Sequence, residues 1–225
     1  MSNVSEYTFL VGDDKVRGML THAENAKCLL VLSHGAGAGM THPFMETLSH
    51  KLQASGVSVF RFNFPYMEKG RKAPGSQRQA IAAMTEALKK AATFANGLPL
   101  LLGGKSYGGR MASHLMAEES VAELTEVKGL IFFGFPLHAP GKKGKDRAAH
   151  LQSVSCPMLF LQGGRDKLAD PVLIDEVAKG LCGATIKMYE HGDHSFHVLK
   201  RSGTTDEVLM DEIVTDTNEW LSKVL

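Results

Sequence analysis

Three short stretches of this chain carry side chains that could act on one another. They are Gly104-Lys105-Ser106-Tyr107-Gly108, Gly163-Gly164-Arg165-Asp166 and Gly192-Asp193-His194-Ser195-Phe196. A serine hydroxyl is a weak nucleophile until a base takes its proton, and the base in turn needs a group to orient it. Here the serine, an acid and a histidine occur in that chain order. Gly104, Ser106 and Gly108 also have the G-x-S-x-G spacing of a sharp strand-to-helix turn, which lifts a serine to the top of a sheet.

Each assignment has a rival. Gly104-Lys105-Ser106 matches the end of a phosphate loop, but G-x-x-x-x-G-K-[ST] requires a glycine where Pro99 stands, and residues 100–102 are all leucine. Only the last three letters fit. For the acid, Asp166 directly follows a strand-like run, whereas the alternative, Asp170, precedes Pro171 and suits a helix N-cap. For the base, His191 closes a strand and His197 is expected in a following helical turn. His194 lies in a glycine-containing loop, where its ring can swing over the sheet edge, and is favoured. The spacing His191-x-x-His194-x-x-His197 also raises metal binding, yet no cysteine or carboxylate set completes a site. No metal and no cofactor are expected.

Developing negative charge on a substrate oxygen needs two backbone N–H groups aimed at it. One is expected from Tyr107. The second is expected from the loop His34-Gly35-Ala36-Gly37-Ala38-Gly39, with Ala36 the first choice and Gly37 the second. Lys105 reads as a solvated or sheet-end packing residue.

Short apolar runs alternate with helical patterns and so place these residues. "YTFLV" and "KVRGMLTH" read as two strands around Gly12-Asp13-Asp14, forming an antiparallel edge. "AKCLLVLSH", "VSVFRFNF", "LPLLLGG", "VKGLIFFGF", "CPMLFLQGG" and "ATIKMYE" read as further strands. Helices are expected at "PFMETLSHKLQASG", Ser76–Asn96, "GGRMASHLMAEE", "PVLIDEVAKGL" and "TTDEVLMDEIVTDTNEWLSKVL". Repeated strand–helix units imply a mostly parallel sheet covered on both faces, with ligands beyond the carboxyl ends of the strands.

The composition points nowhere else. The 225 residues suit one domain, 1–225, and a net charge of +1 gives no reason to expect nucleic acid or a membrane surface as partner. The basic run "GKKGKDR" (Gly141–Arg147) reads as a solvated loop. Three scattered cysteines form neither a disulfide framework nor a zinc pattern. There is no signal-peptide pattern at the N-terminus and no apolar run of spanning length, so a cytoplasmic location is expected.

Taken together, "HGAGAG", "GGKSYGG", "GGRD" and "GDHSF", each after a strand, resemble the α/β-hydrolase superfamily along nearly the whole chain. "FRFNFPY" and "FFGFPLH" look like its small dienelactone-hydrolase-like branch, and like the hydrolase domains of testis-expressed and non-specific-lethal-complex proteins. The resemblance implies an eight-stranded sheet with a triad of Ser106, Asp166 and His194. The segment Leu137–Val154 is too short for the cap domain of larger relatives, so the site is expected to be shallow, or closed only by the loop around 138–147. The expected activity is hydrolysis of a small ester or thioester, with a small-molecule acyl substrate and a monomer or homodimer. The alternative is a non-catalytic interaction module on the same fold.

Overall fold

The protein is described by a computed structural model covering residues 3–118 and 127–225. Eight strands form one sheet: β1 (Val4–Val11), β2 (Asp14–Thr21), β3 (Cys28–Ser33), β4 (Val57–Phe62), β5 (Leu100–Lys105), β6 (Val127–Phe133), β7 (Met158–Gly163) and β8 (Ala184–Tyr189). Their order is β1-β2-β4-β3-β5-β6-β7-β8. As expected from the two opening runs, β1 pairs antiparallel with β2, and β2 antiparallel with β4. From β4 through β8 all pairings are parallel.

The central strands are buried on both faces, and alternate residues enter opposite cores. Leu29 and Val31 of β3 join one apolar cluster, while Cys28, Leu30 and Leu32 join the other. The first cluster is closed by α3 (Gln77–Ala95), α4 (Tyr107–Met116) and α5 (Pro171–Lys179). The second is closed by α1 (Pro43–Ala54) and α6 (Asp206–Val224). Helix starts follow the chemistry of their caps. Ser76 and Gln79 form a capping box at α3, and Asp170 accepts from Val172 and Leu173 N–H ahead of Pro171 at α5.

Some local expectations are corrected. In α1 the buried apolar face is Met45, Leu48 and Leu52, with the half-buried Phe44 packed against the edge of the same core. A four-residue helix, α2 (Pro65–Glu68), and a 3-10 segment, Asp146–Ser153, carry no clear periodic signal. The helix expected over "GGRMASHLMAEE" is seen to Met116, and its last expected residue, Glu119, lies outside the described residues. Among the described residues no helix is long and apolar enough to cross a membrane, and no cluster of His, Cys, Asp or Glu has the geometry of a metal site.

The chain order places β4 on one side of β3 and β5 on the other, so a switch point lies between β3 and β5. Crevices at such points, beyond the carboxyl ends of the strands, are where sheets of this kind bind ligands. The glycine-rich loop after β3 and Ser106 after β5 flank this one.

Candidate active site

Ser106 occupies the turn between β5 and α4 at φ 51° and ψ −115°, a conformation that costs a non-glycine residue strain energy. Neighbouring glycines make the turn sterically possible. A Cβ on Gly104 would lie 2.3 Å from Ser33 Oγ and 2.5 Å from the Gly108 carbonyl carbon. One on Gly108 would lie 2.6 Å from the His34 carbonyl oxygen. The G-x-S-x-G spacing is therefore a packing requirement as much as a sequence pattern.

Asp166 follows β7 and is only 5% exposed. Its Oδ1 accepts the Leu168 amide at 2.7 Å. Its Oδ2 accepts Gln162 Nε2 at 2.6 Å and His194 Nδ1 at 2.7 Å. Gln162 also accepts the Phe135 amide at 2.9 Å, tying the carboxylate to the turn after β6. Three donors thus hold the carboxylate in place before a substrate arrives.

His194 lies on the loop after β8. Nδ1–H donates to Asp166, which leaves Nε2 to accept the Ser106 hydroxyl at 2.8 Å. The loop is braced from several sides. The Arg165 guanidinium donates to the His191 carbonyl and the Arg165 amide to that of Gly192, both at 2.9 Å. Asp193 Oδ1 accepts the amides of Ser195 and His197 at 2.8 and 2.9 Å. Gly163 is needed beneath it, since a Cβ there would come within 2.5 Å of the Gly192 and Asp193 carbonyl oxygens.

Among the described residues, neither of the other two histidines is hydrogen-bonded to Ser106 or Asp166. His191 is exposed. His197, expected in a helical turn, instead sits in irregular backbone because Asp193 closes the loop locally. Its Nδ1 meets Asp206 Oδ2 at 2.7 Å, and that hydrogen bond raises its pKa.

The loop after β3 passes directly against the turn bearing Ser106. A Cβ on Gly35 would lie 3.8 Å from Ser106 Cβ. Both ends of this loop are fixed. His34 is fully buried, donates from Nδ1 to its neighbour's carbonyl and accepts the Phe64 amide at Nε2. Burial lowers its pKa to about 4, so the ring is neutral. At the far end, Asn63 Oδ1 accepts the Met40 amide at 2.9 Å and the buried Arg61 donates to the Met40 carbonyl at 2.8 Å. Among the described residues neither the Ala36 nor the Tyr107 amide donates to a protein acceptor. Gly37, the second choice, approaches the Tyr66 hydroxyl without reaching hydrogen-bond geometry, and burial raises that phenol's pKa to about 12.

Beside Tyr107 opens a cleft of about 610 Å³, with Phe64, Tyr66, Pro65 and Ala80 on its walls and Arg71 and Lys72 on its rim. It reaches the serine's neighbour rather than Ser106 Oγ itself. The loop around 138–147 is held toward α5, with Lys143 paired to Asp170 and Lys145 to Glu176.

The structure therefore brings Ser106, Asp166 and His194 into one chain of hydrogen bonds and sets the loop containing Ala36 beside them. Sequence reasoning missed Gln162, Asn63, Arg61 and the contacts of His34. Of the two readings of Lys105, the structure favours packing at the sheet end: the side chain is half-buried and its ammonium donates to the His194 carbonyl, a contact the sequence did not show.

Comparisons with known proteins bear on the family and the fold. Residues 26–222 match the family described as the alpha/beta hydrolase domain. Among solved structures, dienelactone hydrolase from Anabaena variabilis is 17% identical with a TM-score of 0.75, and 99% of each chain is covered. XC6422 from Xanthomonas campestris, described as an α/β serine hydrolase without lid, is 16% identical with a TM-score of 0.74, covering 100% of this chain and 96% of its own. Est1E from Butyrivibrio proteoclasticus is 11% identical with a TM-score of 0.73, covering 96% and 99%. At such identities the structural likeness speaks for the fold, and the family match extends over most of the sequence. The chain belongs to the α/β-hydrolase family.

Proposed function

We propose that the protein is a serine hydrolase that cleaves a small ester or thioester through an acyl-enzyme. The observation that carries this reading is the 2.8 Å approach of His194 Nε2 to Ser106 Oγ, with Asp166 on the opposite ring nitrogen at 2.7 Å. His194 takes the hydroxyl proton as Ser106 Oγ attacks the carbonyl carbon. Asp166 stabilises the imidazolium that forms and keeps its ring aligned. The amides of Tyr107 and Ala36 receive the oxyanion, and the positive end of α4 adds to the favourable field. The imidazolium then protonates the leaving oxygen or sulfur. In the second half, His194 takes a proton from water as its oxygen attacks the acyl carbon. The tetrahedral adduct then breaks its bond to Ser106 Oγ, which regains a proton from the imidazolium as the carboxylic acid leaves.

The cleft beside Tyr107 supplies an apolar and aromatic wall for one arm of the substrate. With only the 3-10 segment Asp146–Ser153 between β6 and β7, a small acyl group fits better than an enclosed lipid. We further propose a single domain over 1–225, acting in the cytoplasm as a monomer or homodimer without a cofactor. The test is covalent labelling by a fluorophosphonate, with the modified peptide identified by mass spectrometry. Modification at Ser106 supports the reading. An unlabelled protein, beside a control hydrolase that labels, refutes it.

A further inference from the structure

Lys105 is the residue just before Ser106, at the end of the same strand. Its side chain leaves the sheet toward the histidine loop and places Nζ 2.5 Å from the His194 carbonyl oxygen. Among the described residues that carbonyl has no other donor. Gly134, after β6, leaves the room: a Cβ there would lie 3.0 Å from Lys105 Nζ, 3.4 Å from the His194 oxygen and 3.7 Å from His194 Nδ1. The rings of Phe44 and Phe196, stacked 5.8 Å apart, lie 5.7 and 5.3 Å from the ammonium and offer it their faces. Asp166 and Asp193 attract it through space, but neither carboxylate forms an ion pair with it.

Such a site is a costly place for a cation. Desolvation outweighs the attraction of Asp166 and Asp193 and brings the ammonium's pKa down to about 8. A methionine of similar length would fill the same slot without that penalty. A group retained at a cost to stability points to a task elsewhere. The bonds from Arg165 and within the Asp193 turn brace the loop on either side of His194. Among the described residues, only Lys105 joins the histidine's own main chain to the strand that carries the serine.

We infer that Lys105 is a positioning residue: its ammonium pins the main chain of His194 and so fixes the imidazole between Asp166 and Ser106. The inference rests on the serine-hydrolase reading for its kinetic consequence, though not for its structural one. A shift of roughly 1 Å in a catalytic group can cost about a hundredfold in rate.

The test compares wild type, Lys105→Met and Ser106→Ala at pH 7 by three measurements: the fluorophosphonate labelling rate, the Tm, and the low-field proton resonance of His194 Nδ1–H. Lys105→Met is expected to label about a hundredfold more slowly, with a Tm equal to or above wild type and the low-field resonance broadened by exchange. Ser106→Ala is expected to keep that resonance. If Lys105→Met labels within threefold of wild type, or keeps a sharp resonance, the inference is overturned while the nucleophile assignment stands. If its Tm falls by several degrees alongside the labelling rate, Lys105 is an ordinary structural residue and the inference is equally overturned. If wild type itself does not label, the hydrolase reading fails, and the resonance alone still decides whether Lys105 fixes the ring.

Discussion

His194 Nε2 and Ser106 Oγ lie 2.8 Å apart although 88 residues separate them in the chain. Neither residue is held there by its own segment alone. The serine is fixed by glycine packing between β5 and α4, and the histidine by a loop braced against the strand end at Gly163. That shared geometry predicts how the parts fail.

If the three side chains act as a unit, their losses should not add. Ser106→Ala and His194→Ala are each expected to lower kcat by several orders of magnitude, and the double variant to be no worse than either single one. Turnover of a short-chain nitrophenyl ester measures this. Additive losses would mean that Ser106 and His194 work independently.

The elbow should be intolerant of a single methyl group. Gly104→Ala puts a Cβ against Ser33 Oγ, itself bonded to the Gly103 carbonyl, and against the backbone of Gly108 and Gly109, which cannot rotate aside. Overpacking of this kind costs about 3 kcal/mol, which for a domain of this size is a Tm lower by roughly 6–12 °C. A melting curve unchanged from wild type would mean that the turn can open at little cost.

Gln162 spans Asp166 and the Phe135 amide from a fully buried position. Gln162→Leu leaves that amide without an acceptor and removes one partner of the carboxylate. A loss of about 1–3 kcal/mol in stability is expected, together with a fall in kcat larger than any change in KM. Denaturant unfolding and steady-state kinetics on the same preparation check both.

Acid should weaken the fold. His34 has a folded pKa of about 4 against an ordinary 6.5, because burial disfavours its charged form. His150, stacked on His114 with ring centroids 3.5 Å apart, is also lowered to about 4, chiefly by desolvation. The unfolded chain therefore binds more protons than the folded one between about pH 6.5 and 4, so stability is full above that window and falls as pH drops through it. For His34 the lowering is 6.5 − 4, roughly 2.5 pH units, or roughly 3 kcal/mol. The exposed His197–Asp206 pair pulls the other way, but water screens it. Urea unfolding at pH 7.0 and 4.5 should show the difference, and equal midpoints would contradict the assignment of buried neutral imidazoles.

Much of the site could be read in the sequence because its chemistry sits where strands end. Ser106, Asp166 and His194 each follow an apolar run, and strand ends are set by local patterning. The flanking glycines mark tight turns for the same local reason. The supporting residues could not be found this way. Gln162 lies within β7 and meets Asp166 by folding back, while Asn63 and Arg61 reach Met40 across about twenty residues. For Lys105 the sequence left a solvated and a sheet-end packing role open, because a lysine at a strand end is ordinarily exposed. Its enclosure depends on Phe44, Gly134 and Phe196, which come from three other segments.

The central claim is that Ser106 is a nucleophile activated by His194. It is tested most directly by turnover of short acyl esters of nitrophenol by the wild-type protein and by Ser106→Ala, both purified in folded form. Steady release of nitrophenol by wild type, abolished in Ser106→Ala with an unchanged Tm, is the predicted result. Equal rates for the two proteins, or no turnover of any short ester by wild type, would contradict it.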